Sequence, residues 1–194
     1  DIPGKEHMLD SDGFWKLAGM PERPIVIGGG YIALELACVL AGLGSRPILL
    51  VRSQLLRGFD RDIAHHLESM LAIHGVEVVR GLSPTRLERT SEGFKLHTQD
   101  ETAATGKTLQ ADACVLAATG RVPNTRDLGL DAATISLGES GEIPVSELDE
   151  TSLSRVFALG DVTGRAMLTP VAIKAGRLLA ERLFNGGSKI MRYD

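Results

Sequence analysis

At 194 residues the chain is long enough for one large domain, or for a small domain and part of a second. Its 43% hydrophobic and 24% charged residues are those of a globular protein. A formal net charge of −4 argues against a general nucleic-acid or membrane-surface binder, because a polyanionic partner demands a basic face.

The chain begins with a polar lead-in and a Pro-bounded turn, "MPERP", Met20 to Pro24. "IVIGGG" then reads as a short buried strand entering a glycine turn. "YIALELACVLAGLG" reads as a helix ended by Gly44; Glu35 interrupts its apolar run, which is too short to span a bilayer. "PILLV" is predicted as a second strand. From Asp60 to His74, Ile63, Leu67, Met70, Leu71 and Ile73 recur at near-helical spacing, so a second helix is expected, stopped by Gly75. "VEVV" is the third strand. The β-α-β-α-β order predicts an α/β fold with a Rossmann-like parallel sheet and right-handed crossovers.

Residues 84–110 alternate between turn residues ("TRLERT", "GFKLHT", "GKTLQA"), which predicts a small antiparallel meander. "ACVLAATG" is a continuous apolar run, expected as a central strand of the parallel sheet. Past "GRVPNT" comes a loop-rich stretch, then "RVFALGD", read as another strand entering a glycine turn. "TPVAIKAGRLLAERLF" is a closing helix, with Thr169 expected at its N-cap and Pro170 at its first position. The strand–glycine–helix pattern thus occurs around Gly28 and again around Gly160, which hints at two nucleotide sites.

Gly28-Gly29-Gly30-Tyr31-Ile32-Ala33 fits G-x-G-x-x-A. The first glycine permits a tight turn, the second lets a pyrophosphate approach the backbone, and Ala33 keeps the helix close to the strand. The helix N-terminus adds free N–H groups and a positive dipole. In such units an acid normally ends the second strand, about twenty residues past the motif, and grips a ribose. Here Val51 is followed by Arg52 and Ser53, and then by Arg57, five residues past Arg52. Guanidinium groups pair with a 2′-phosphate through charge-assisted bonds of about 1.5–3 kcal/mol each. Two such bonds discriminate NADP from NAD by about two to four orders of magnitude, so NADP(H) is the expected dinucleotide.

Glu35 lies four residues after Tyr31, so the pair shares one helical face beside the phosphate turn. It reads either as a nicotinamide-side pair or as a polar position on a partly exposed face. Asp161, after Gly160, suits a sugar hydroxyl or a plain turn. Arg121, following Gly120 at the end of a buried strand, is a candidate for a cofactor phosphate or ribose, or a loop arginine with a local partner. The five histidines show no ligand spacing, so no metal site is expected. Cys38 and Cys114 have neither metal nor redox spacing and read as reduced thiols filling small core positions, which suits a reducing compartment. No signal peptide is visible at Asp1, and a cytoplasmic location is expected, or an organellar one.

Taken together, "IPG", "SDGFWKL", "IVIGGGYIALE", "VRSQLLRGFD", "ATGRVPNT" and "FALGDVTGRAMLTPVAIKAGRLLAERLF" resemble the pyridine nucleotide–disulfide oxidoreductase family along essentially the whole chain. The likeness is to the glutathione reductase and large thioredoxin reductase type. "RSQLLRGFD" and "GEIPV" lean toward thioredoxin reductase, while "GRVPNT" and "GDVTGRAMLTPVAI" are as much like glutathione reductase. The resemblance implies a homodimeric flavoenzyme in which NADPH reduces FAD, and FAD reduces a cysteine pair that passes electrons to thioredoxin or glutathione disulfide.

Carried over by motif, Gly28, Gly30 and Ala33 would line the NADPH pyrophosphate, with Ile32 also among the cofactor-binding residues, Tyr31 would gate the nicotinamide pocket, and Glu35 would orient the nicotinamide. Arg52, Ser53 and Arg57 would hold the 2′-phosphate, with Gly120 and Arg121 nearby. Asp161 would bind on the FAD side, and Leu168 and Thr169 would sit near the flavin ring. Residues 1–121 are thus expected to form the NADPH domain with its lead-in, and residues 122–194 the second segment of an incomplete FAD-binding domain. The family's redox cysteine pair, first flavin segment and dimerisation domain with its acid–base histidine have no counterpart in this sequence. The chain alone is therefore not expected to complete the reaction. The alternatives are a dihydrolipoamide dehydrogenase or mercuric reductase type of flavoprotein, the former disfavoured by Arg52, or a nucleotide-binding module without redox output.

Overall fold

The computed structural model describes every residue except 101, 104 and 194, two of which fall within the predicted meander. The chain divides into two compact units, Asp1–Gly120 and Arg121–Asp194.

In the first unit, Asp10 caps the short helix Ser11–Phe14 (α1) by accepting the Gly13 N–H at 2.8 Å. The buried strand Ile25–Ile27 (β1) leads into the helix Tyr31–Gly42 (α2), and Ile48–Val51 (β2) leads to the helix Arg61–Ile73 (α3). Asp60 ends the preceding loop and accepts the Ile63 N–H at 3.0 Å, which fixes where α3 begins. Gly75 leaves the helix at φ +85°, a left-handed conformation that costs glycine nothing. Glu77–Arg80 (β3) follows. The meander consists of Leu82–Thr90 (β4), Gly93–Asp100 (β5) and Gly106–Ala111 (β6), paired antiparallel in that order.

Val115–Ala117 (β7) completes a parallel sheet of order β3-β2-β1-β7. It is therefore an edge strand, not the central strand its apolar run suggested. Its outer side pairs with Leu9, which donates to the Val115 carbonyl at 2.9 Å and accepts the Ala117 N–H at 2.7 Å. Both faces of the sheet are covered, which is why β1, β2 and β7 are apolar at every position. Val26, Leu49, Val51 and Leu116 pack against Ala33, Leu36, Ala37 and Leu40 of α2. On the other face Ile25, Ile27, Ile48, Leu50 and Val115 pack against Leu87, Leu96 and Leu109 of the meander. The meander is thus the cover of one sheet face.

The second unit holds less regular structure. "RVFAL" does not form the expected strand; among the described residues it makes one bridge, Phe157 to Glu150. A strand needs a ladder of partners, and only the Ala158 N–H to Asp149 carbonyl and the Thr151 N–H to Val156 carbonyl bonds flank that bridge, at 3.0 and 2.8 Å. A 3-10 turn follows at Gly160–Thr163, and then the helix Thr169–Phe184 (α4). Its N-cap is Leu168, in extended conformation, rather than Thr169, and no side chain caps the helix. Proline in the first turn makes this tolerable, because its missing N–H is one that would have no partner there anyway.

Asp149, 1% exposed and at φ +63°, anchors this unit. Arg182 of α4 donates to its Oδ2 at 2.9 Å, and Arg165 lies 3.7 Å from its Oδ1. Among the described residues no helix is long and apolar enough to cross a membrane, and no group of three or more His, Cys, Asp or Glu could hold a metal ion.

Candidate functional site

The turn leaving β1 is built around one crowded glycine and one open one. Gly28 has φ +144°, and a Cβ there would lie 2.3 Å from the Ala118 carbonyl oxygen and 3.1 Å from the Ala33 Cβ. The strand end, the following helix and β7 thus converge on a point with no room for a side chain. Ala33 is fully buried beneath it. Gly30 is the N-cap of α2 and offers no side-chain cap. A Cβ on it would meet nothing within 4 Å, so the backbone at the start of α2 borders open space.

The loop after β2 docks on this turn. Leu56, itself at φ +49°, donates its N–H to the Gly29 carbonyl at 2.6 Å. A Cβ on Gly29 would sit 2.5 Å from the Gln54 carbonyl oxygen, so the middle glycine keeps the two loops in contact. Within this loop Arg57 Nη2 donates to Ser53 Oγ at 3.1 Å.

The glycine turn and the arginine loop line one cleft of about 640 Å³. Of the residues singled out from the sequence, Gly28, Gly30, Tyr31, Arg52, Ser53 and Arg57 line it together. Ile32 is half-buried against the core, Ala33 lies below, and Glu35 is exposed one turn further along α2; none of the three forms part of the wall. Sequence reasoning missed Gln54, Phe59, Leu82, Ser83, Pro84 and Thr119, which also line the cleft. Only Phe59 left a local signal, as an aromatic two residues after Arg57.

The cysteines differ from expectation in one respect. Cys114 is a buried core thiol, and burial, helped by Asp112, pushes its pKa up to about 11. Cys38 is exposed on α2, not a core position, because it shares the outward face with Glu35 and Val39. Partial burial, and then the Glu35 carboxylate, raise its pKa as well. Neither is an activated thiolate.

Gly120 closes the first unit and Arg121 opens the second. Arg121 Nε lies 3.9 Å from Asp161 Oδ2, both side chains about half exposed. They share a shallow pocket of about 190 Å³ with Pro123, Asn124, Val162 and Met167. Gly160 makes the preceding turn at φ +76°. Leu168, 54% exposed, and Thr169 begin α4 and do not line that pocket.

The family profile described as pyridine nucleotide-disulphide oxidoreductase matches residues 1–176. The chain belongs to that family. Members are named for pyridine nucleotide and disulfide chemistry, and the relatives below are disulfide reductases. A glutathione reductase of Burkholderia cepacia is 40% identical over 186 residues, covering 95% of this chain and 40% of that one. A solved structure of RclA, an HOCl-induced flavoprotein disulfide reductase from Escherichia coli, superposes with a TM-score of 0.86 at 30% identity, covering 98% of this chain and 43% of that one. The Cu(II) complex of a cysteine-to-serine mutant of RclA gives 0.87, again at 30% identity, over 98% of this chain and 42% of that one. The family member described here thus shares the mixed α/β fold of the flavoprotein disulfide reductases, and spans about 40% of the length of the curated relative.

Proposed function

We propose that the first unit binds NADPH and that the second contributes to a flavin site, so that the full protein passes a hydride from NADPH to FAD and electrons on to a disulfide. One observation carries this reading: the open Gly30 turn and the Ser53–Arg57 pair line a single cleft.

The residues present fit a phosphorylated dinucleotide. Space that a Cβ at Gly30 would fill is free, and the uncapped start of α2 supplies N–H groups and positive dipole for a pyrophosphate. Ser53 accepts a hydrogen bond from the Arg57 guanidinium in the same cleft, and a guanidinium so held costs less to order on a 2′-phosphate. Arg52 adds charge at the end of β2, where an acid would select NAD. Tyr31, which lines the cleft, is the residue we assign as the gate of the nicotinamide pocket, and Glu35 is the carboxylate we assign to orienting the nicotinamide amide.

When bound, the reduced nicotinamide supplies the hydride and the flavin accepts it. The chain's own task is to place and hold them. In the second unit Asp161, 3.9 Å from Arg121, is the residue we assign to flavin-side hydroxyls, and Leu168 and Thr169 are assigned to the flavin ring. Residues 1–121 and 122–194 would then be an NADPH domain and one segment of an FAD domain, within a homodimer that reduces glutathione or thioredoxin disulfide.

Calorimetric titration of the chain with NADP+ and NAD+ tests the reading. NADP+ is expected to bind at least about a hundredfold more tightly, and replacing Arg52 and Arg57 by alanine to remove most of that gap. Equal affinity for the two dinucleotides would overturn it.

A further inference from the structure

We propose that Arg80 is a positioning residue for recognition of the 2′-phosphate: it fixes the Ser53 backbone so that the Ser53 hydroxyl can hold Arg57. The inference rests on the reading of the arginine loop given above.

Arg80 is the last residue of β3 and pairs in register with Val51, the last residue before the loop. Its Nη1 donates to the Ser53 carbonyl at 3.1 Å. Its Nε and Nη2 donate to the two carboxylate oxygens of Glu68 on α3. The guanidinium fork is thus held in one plane by a helix while its remaining edge grips the loop. Ser53 is held at both ends, its carbonyl by Arg80 and its hydroxyl by Arg57.

Two features make this a supporting role. Glu68 neutralises the Arg80 charge, and Arg80 does not line the cleft. Its effect on a ligand must therefore pass through Ser53. A lysine at this position keeps the charge but lacks the planar fork, so it cannot span Glu68 and Ser53 in the same geometry. Charge and placement are thereby separable.

The experiment measures Kd for NADP+ and NAD+ on the wild-type chain and on Arg80→Lys, Arg80→Met and Glu68→Gln, with circular dichroism to confirm folding. Both Arg80 variants are expected to weaken NADP+ about tenfold while changing NAD+ less than about twofold. Glu68→Gln is expected to weaken NADP+ by a few-fold, because the fork loses its orienting partner. A wild-type ratio in Arg80→Lys would overturn the proposal, as would tighter NADP+ binding in Glu68→Gln, since either points to charge rather than placement. If Arg80→Met fails to fold, the other two variants decide. A wild-type chain without preference for NADP+ would overturn the parent reading and this one with it, whereas a preference kept by every variant overturns this one alone.

Discussion

A Cβ on Gly28 would fall 2.3 Å from the carbonyl oxygen of Ala118, so the turn out of β1 and the end of β7 meet only because position 28 lacks a side chain. Gly28→Ala adds a backbone clash to an unfavourable φ, and about 2–4 kcal/mol of stability should be lost. Gly30→Ala meets nothing within 4 Å and should leave stability nearly unchanged while weakening NADP+. Urea unfolding and nucleotide titration of the two variants separate packing from binding. A stable Gly28→Ala chain would contradict the packing argument.

Ser53→Ala removes the hydroxyl that accepts from Arg57. Arg57 then has to be ordered by the ligand itself. NADP+ affinity should fall by about three- to tenfold, with NAD+ unaffected, as expected for one hydrogen bond of about 0.5–1.5 kcal/mol. Parallel titrations provide the check.

Asp60→Ala deletes the carboxylate that accepts the Ile63 N–H at the start of α3. The expected cost is about 1 kcal/mol. It should appear as a lower urea midpoint at unchanged slope.

Asp149→Asn keeps the shape and the tolerance for positive φ but leaves Arg182 and Arg165 without their counter-charge. Removing one partner of a buried ion group costs about 3–5 kcal/mol. Amide exchange in α4 should accelerate strongly, since Arg182 is part of that helix.

The Cys114 thiol titrates near 11 in the fold against an ordinary 9.0. Because the unfolded chain gives up this proton first, the native state binds more protons between those values. Stability is therefore unaffected below about pH 9 and falls as pH rises toward 11, by on the order of 2 kcal/mol. Cys114→Ala should flatten most of that slope in urea titrations run across this range. The same burial makes Cys38 the first thiol to react with an alkylating reagent at neutral pH.

Much of the first unit was legible because its signals are local. Asp60 and Gly75 bracket α3, glycines follow β1, and alternation marks β4 to β6. The edge position of β7 was not legible: an apolar run reports burial of two faces, and here helices and meander supply that burial without a flanking strand. Residues 155–159 have strand-like composition, but a ladder depends on partners that one segment cannot encode. Thr169 has the chemistry of a cap, yet the extended backbone at Leu168 starts the helix a residue earlier. Of the cleft, the glycine and arginine motifs could be found because each is contiguous. Other parts of its wall come from Leu82 to Pro84 and from Thr119, which only folding brings near.

The lead-in touches both layers of the first unit at once. Pro3 accepts the Leu87 N–H of β4 at 2.9 Å, and Leu9 bridges to β7. A protease cut between these two attachments would uncouple the hold of Pro3 on β4 from the hold of Leu9 on β7 without breaking either. The meander would stay seated on the sheet through Leu87, Leu96 and Leu109, and Leu9 would go on shielding the β7 margin from pairing with a second molecule.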